Sequence, residues 1–157
     1  MLIPEIPDNS LTEELSEIAE IAKKLEGIKN FEFHVPATED EISFLERIIN
    51  YTLPDDYKDF LMFSNGMILN GYTADFYNVD MIISTYRLEK AEWFPADYII
   101  VADIIGDGEV LCMSNKTGKF IRYFDGEERF FDSFKEALRN IIEHIKIVDE
   151  EFFLEEE

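Results

Sequence analysis

Between Pro36 and Gly66 the chain reads PATEDEISFLERIINYTLPDDYKDFLMFSNG, and this stretch constrains the fold more than any other. Thr38 and Glu41 are spaced as a capping box, in which hydroxyl and carboxylate satisfy each other's orphan backbone donors at a helix start. Ile42, Leu45 and Ile49 then share one helical face, while Glu39, Asp40 and Glu46 fall on the exposed side. Pro54 opens a second helix, where its missing N–H leaves nothing unpaired, and Asp55 and Asp56 follow at the positive end of the helix dipole. Tyr57, Phe60, Leu61 and Ser64 share a face, and Asn65-Gly66 supplies the stop. Two well-capped helices with no catalytic signature between them point towards a binding role.

The flanks extend this pattern. Pro4 and Pro7 suit an extended arm over residues 1–9. Ser10 with Glu13 has capping-box spacing ahead of Leu11, Leu15, Ile18, Ala22 and Leu25, an apolar stripe that Gly27 ends. Phe31, Phe33 and Val35 alternate with Glu32 and His34, which predicts a short strand. After Gly66 the period falls to two. Met67–Leu69, Asn70-Gly71 and Tyr72-Thr73 form a hairpin signal, since a type I′ turn wants positive φ at both central positions. Asp75–Tyr86 stays open: Val79, Met81, Ile82 and Ile83 fit a strand, and Tyr86–Glu89 could begin a short helix.

Tyr98–Ile105 is a nearly continuous apolar run, as in a strand covered on both faces. Turns at Gly106-Asp107-Gly108, Asn115–Gly118 and Asp125-Gly126 separate it from Glu109–Met113, Lys119–Phe124 and Arg129–Phe131. Strands joined by tight turns are antiparallel neighbours, so this is a meander. Ser133 and Glu136 make a third box before the stripe Phe134, Leu138, Ile141 and Ile145. Residues 149–157 hold six acids around Phe152-Phe153-Leu154, an acidic tail that reads either as solvated or as a contact segment. The expected fold is α+β: a single domain over residues 1–157, with helices packed on a mostly antiparallel sheet.

The charge separates the possible functions. With 35 acidic and 14 basic residues the chain carries a formal net charge of -21, yet 46% of it is hydrophobic, so it folds and wears the charge outside. Direct nucleic-acid binding is disfavoured, because phosphate recognition needs lysine and arginine. A basic protein partner is favoured, since such a field raises association rates roughly 10 to 10³-fold; solubility explains the same number. The single Cys112 allows no internal disulfide, and MLIPEIPDNS has neither the basic region nor the apolar core of a leader. No apolar run is long enough for a membrane span, and the expected location is the cytoplasm.

Enzyme chemistry has little to build on. His34 and His144 stand apart, and no HExxH, GxSxG, P-loop or GxGxxG occurs, so neither a metal nor another cofactor is expected. Cys112 in an apolar strand reads as a small buried hydrophobe. Asp103, Asp107 and Glu109 around the glycine turn, with Asp125, could be turn chemistry, an acidic contact surface, or a carboxylate cluster for Mg²⁺, Ca²⁺ or acid–base work.

Several segments resemble, in order, the SUKH superfamily. They are Pro36–Ile42, Leu53–Leu61, Ser64-Asn65-Gly66, Ile104–Gly108 with Leu111-Cys112-Met113, Thr117-Gly118-Lys119 and Asp132–Leu138, spanning roughly residues 36 to 140. The resemblance implies one α+β domain with a mixed, mostly antiparallel sheet flanked by helices. It also implies a non-enzymatic immunity protein that neutralises a toxin, often a nuclease, by stoichiometric binding; a fungal regulator of cell-wall synthesis is similar too, and a regulatory interaction module without a toxin is the alternative. Met67 stands where many relatives carry tryptophan or a second glycine, and Asn70–Phe94 aligns with none of the pattern, which is where partner choice would lie. On this reading the partner is a cognate toxin with a basic surface, with no nucleic acid and no membrane. The contact residues would be Asp103, Asp107, Glu109 and Asp125, then Asp75 and Asp80, with Tyr72, Trp93 and Phe94 as aromatic anchors.

Overall fold

A computed structural model describes residues 2–28, 30–69, 74–104 and 108–156, with side chains described as far as residue 147. The helices are α1 (Thr12–Lys24), α2 (Glu39–Ile49), α3 (Asp55–Leu61), α4 (Val79–Arg87) and α5 (Phe134–Glu156). The strands are β1 (Glu32–Phe33), β2 (Met67–Leu69), β3 (Ala74–Phe76), β4 (Tyr98–Ile104), β5 (Glu109–Ser114), β6 (Phe120–Phe124) and β7 (Glu127–Phe131). They lie in chain order in one seven-stranded sheet, and every pairing is antiparallel. The α+β class is thus the observed one, and the sheet has no parallel pair among the described residues.

The helices cover one face. Phe134 at the start of α5 is the hub, its ring 5.0 Å from Tyr57, 5.1 Å from Phe60, 5.3 Å from Phe120 and 6.1 Å from Phe76. Rings from α3, α5 and two distant strands thereby close a single core, where area burial and edge-to-face geometry add. Helix α1 joins it through Leu11, Leu15, Ile18 and Ala22, all without exposed surface.

Local signals fared according to their competitors. Thr38 and Glu41 form the reciprocal box at α2. At α1 the Ser10 box is absent: the helix starts at Thr12 with no side-chain cap, because Ser10 gives both its hydroxyl, at 2.6 Å, and its N–H to Asp59, while Asn9 Oδ1 takes the Leu11 N–H. At α5 Ser133 Oγ accepts the Glu136 N–H, but the Glu136 carboxylate reaches back to the N–H of Asp132. The hairpin after Gly66 forms with Leu69 opposite Ala74, so its connection takes residues 70–73 and lies outside the described residues.

The open segment after Asp75 resolves into a strand and then a helix. Asn78 is the N-cap of α4, its Oδ1 accepting from Met81 N at 2.8 Å, and Val79, Ile82 and Ile83 face the core. A strand would have placed Ile82 and Ile83 on opposite faces; the helix buries both. Asn78→Ala should cost about 1 kcal/mol, the ordinary value of a cap, read as a lowered midpoint in urea with unchanged slope.

Candidate functional site

The other face of the sheet is only partly covered, and register decides what it displays. One row crosses all seven strands: Glu32, Ile68, Asp75, Asp103, Val110, Tyr123 and Glu128 are successive cross-strand partners. The row behind it, with Met67, Phe76, Ala102 and Leu111, faces the helices and is buried. Parity is broken in β4 by a bulge between Ile100 and Ala102, which turns Val101 and Ala102 both into the core and returns Asp103 to the open face.

The first half of that face is acidic. Asp75 and Asp103 stand directly opposite one another, and both are exposed. Desolvation, then the charge of Asp103 and that of Glu32, raise the Asp75 carboxyl above its ordinary range, with His34 pulling the other way. The His34 ring lies between the Glu32 carboxylate, 3.4 Å from Nε2, and the Asn65 carbonyl oxygen, 2.8 Å from Nδ1. Tyr77 hydrogen-bonds Asp103, and burial followed by that bond pushes its phenol well above the usual value. A carboxyl whose folded pKa is raised opposes folding when ionised. Asp75→Asn should therefore raise the melting temperature at neutral pH by an amount worth about 0.5 kcal/mol or less, since solvent screens the pair, and the gain should vanish once acid has protonated Asp75.

The second half is aromatic. Residues 88–97 cross over it, burying Tyr98, Cys112, Ile121 and Tyr123 beneath Phe94. Trp93 stacks on Tyr123 with centroids 6.2 Å apart and rings 12° from parallel, yet is 70% exposed; Phe130, opposite Ile121 on β7, is 53% exposed. Lys90 fastens the crossing segment, donating to the Tyr98 carbonyl at 2.8 Å and lying over the Phe94 and Tyr86 rings, and burial lowers its pKa. Cys112 lies underneath, its thiol pushed up to about 12 by burial, so it packs as an apolar group rather than reacting.

The residues singled out in the sequence are dispersed. Asp75 and Asp103 meet; Trp93 and Phe94 cover the adjoining part of the same face. Glu109 points the opposite way, towards α5, and pairs with Arg122, which also donates to Asn140. Asp103 and Glu109 therefore do not form one cluster. Among the described residues no group of three or more His, Cys, Asp or Glu converges as a metal-ligand set. Asp125 is at the tip of the β6–β7 hairpin with φ 49°, where the turn itself employs it, and Asp80 is exposed at the start of α4 in the helical layer. Tyr72 and Asp107 lie outside the described residues. Glu32, Tyr77, Tyr98, Tyr123 and Phe130 belong to the face although sequence reasoning passed over them as functional groups. The alternation of Glu32 and His34 with buried Phe31 was the available signal.

No helix among the described residues is long and apolar enough to cross a membrane. Over 93 residues the chain is 29% identical to "Uncharacterized protein YnaB" of Bacillus subtilis (strain 168), a stretch covering 59% of this chain and 61% of that protein. The chain thus spans less than two thirds of the length of that relative. Residues 36–140, from the Thr38 capping box to the first turns of α5, match the SMI1 / KNR4 family (SUKH-1), and the chain belongs to that family.

Proposed function

We propose that the protein is an immunity protein that binds and neutralises a cognate, basic, nuclease-type toxin in the cytoplasm, using the open face of its sheet. The observation that carries this reading is the juxtaposition on one surface of the exposed carboxylates Glu32, Asp75 and Asp103 with exposed Trp93 and Phe130. Interfaces that bind tightly combine charge steering with a few aromatic anchors, and a chain of net charge -21 selects a cationic partner. Membership of the family supports protein binding in place of turnover. Asp125 would border the contact, whereas Glu109, already paired with Arg122, would not lead it and Asp80 sits in the helical layer; Asp107 and Tyr72, outside the described residues, stay candidates from the sequence alone.

The test is calorimetric titration with any nuclease-type toxin domain whose gene neighbours that of this chain, at low and at high salt. A one-to-one complex that weakens steeply with salt is expected, and Asp75→Lys with Asp103→Lys should weaken it about tenfold or more at low salt. Absence of a complex at low salt would overturn the reading.

A further inference from the structure

We propose that β7 is a strand-accepting edge, which takes an extended, lysine- or arginine-bearing segment of a partner as an eighth strand of the sheet. The sheet has two edges in chain order, and they differ. The β1 edge is two residues long; β7 is a regular five-residue strand without proline, glycine or bulge. The β6–β7 hairpin closes on Phe124 opposite Glu127 through Asp125-Gly126, both in positive φ. In such a ladder the backbone groups of Glu127, Arg129 and Phe131 point to β6, and those of Glu128 and Phe130 point outward. Among the described residues no backbone hydrogen bond meets the outward pair.

Unguarded edges invite pairing, and natural proteins normally blunt them. Here the flanks are shaped to receive side chains instead. Two cavities of about 420 and 570 Å³ lie along the helix side of β7 and share Arg129. Side chains of an added strand recur on one face about every 7 Å, so alternate residues would reach such neighbouring hollows. The larger cavity is lined by Glu14, whose side chain is 3% exposed; Arg139 donates to its Oε2 at 2.7 Å, while its Oε1 has no hydrogen bond among the described residues and Lys135 Nζ stands 4.0 Å from it. A buried carboxylate oxygen without a donor calls for one from outside. On the opposite side Tyr98 holds Glu128 at 2.6 Å and exposed Phe130 offers an apolar contact.

Charge chooses the occupant. Residues 125–132 carry Asp125, Glu127, Glu128 and Asp132 against Arg129 alone, so a second copy of this chain would be repelled and a basic segment attracted. The inference deepens the reading of a basic partner and rests on it for the sign of that partner's charge.

The probe is an alternating Lys-Val octapeptide, compared with a peptide of equal charge in which proline replaces each valine and removes the strand donors. Titrating the full chain by amide NMR should give the largest shifts and slowed exchange at Glu128 and Phe130 with the first peptide only. Phe130→Pro deletes an outward N–H that no β6 group uses; it should keep the native melting transition and weaken the first peptide about tenfold. Equal binding of both peptides, shifts centred on Asp75 and Asp103, or no binding up to about millimolar peptide would overturn the inference, and the wild-type exchange data decide even if the variant misfolds. A toxin captured without protection at Glu128 and Phe130 would remove the edge and leave the immunity reading. Protection by the peptide with no toxin binding would do the reverse.

Discussion

Gly66→Ala should cost more than about 3 kcal/mol and leave the chain unfolded or barely folded at physiological temperature, given that domains have only about 5–15 kcal/mol to lose. Gly66 holds φ at +78°, and an alanine there would pay the left-handed penalty of roughly 1–2 kcal/mol. The larger cost is collision. A Cβ at this position would sit 2.5 Å from the Phe76 carbonyl oxygen, 2.7 Å from Asn78 N and 2.8 Å from the Tyr77 carbonyl carbon, all backbone atoms that no rotamer change can move. Shifting that connection would disturb two caps at once, because Asn78 Oδ1 accepts from Met81 N and Asn65 Oδ1 accepts from Val79 N at the same helix start. Gly27→Ala and Gly108→Ala are the controls, since both glycines have positive φ and nothing within 4 Å of an added Cβ. They should lose only the conformational term. Equal losses for all three in urea unfolding would show that crowding at Gly66 has no consequence.

The same tripeptide shows what the sequence could and could not tell. Ser64-Asn65-Gly66 was legible as part of a family pattern, but the helix it was expected to stop already ends at Leu61, and its tertiary role was not legible. The Ser64 hydroxyl accepts from His34 N and donates to the Gly66 carbonyl, and Asn65 N donates to the Val35 carbonyl, so the turn ties β1 to β2 and α4. Thr38 and Glu41 were readable because capping is decided within four residues. Ser10 misled because Asp59, distant in sequence, accepts from both its hydroxyl and its N–H, the two groups the capping box would use. Within β4, counting by twos from Tyr98 puts Ala102 and Ile104 on its face and Asp103 on the other. The bulge at Val101 reverses this, and only the register with β3 and β5 reveals that Asp103 faces Asp75 while Glu109 faces Arg122. The acidic character of the surface was thus visible in composition, whereas which acids share it depended on one inserted residue.

Arg139→Ala should destabilise by about 2–3 kcal/mol, through a buried charge it leaves behind rather than through lost contacts. Arg139 on α5 donates to Glu14 at 2.7 Å and to Glu17, both on α1, and Lys146 reaches Glu17 at 2.8 Å. Glu14 is enclosed, with 3% of its side chain exposed, so removing the one cation that hydrogen-bonds it among the described residues strands a carboxylate away from water. Breaking a fully buried pair costs roughly 3–5 kcal/mol. The figure is discounted here because the Arg139 side chain is 33% exposed and Lys135 Nζ, 4.0 Å from Glu14, can move closer. Glu14→Leu combined with Arg139→Leu should recover most of the loss, since a well-packed apolar pair can replace a buried ion pair without penalty. The pH dependence carries a definite sign. Hydrogen bonding from Lys146, then from Arg139, holds the Glu17 carboxyl below its ordinary value despite desolvation. Its stabilisation is therefore complete above the unfolded carboxylate pKa of about 4.3 and is lost as pH falls through the lower folded value. The gap between wild type and Arg139→Ala should accordingly be full at neutral pH and narrow below about pH 4, as Glu17 takes up its proton and the wild type loses the attraction that the variant already lacks. A gap that is the same at both pH values would assign the loss to packing of the Arg139 stem alone.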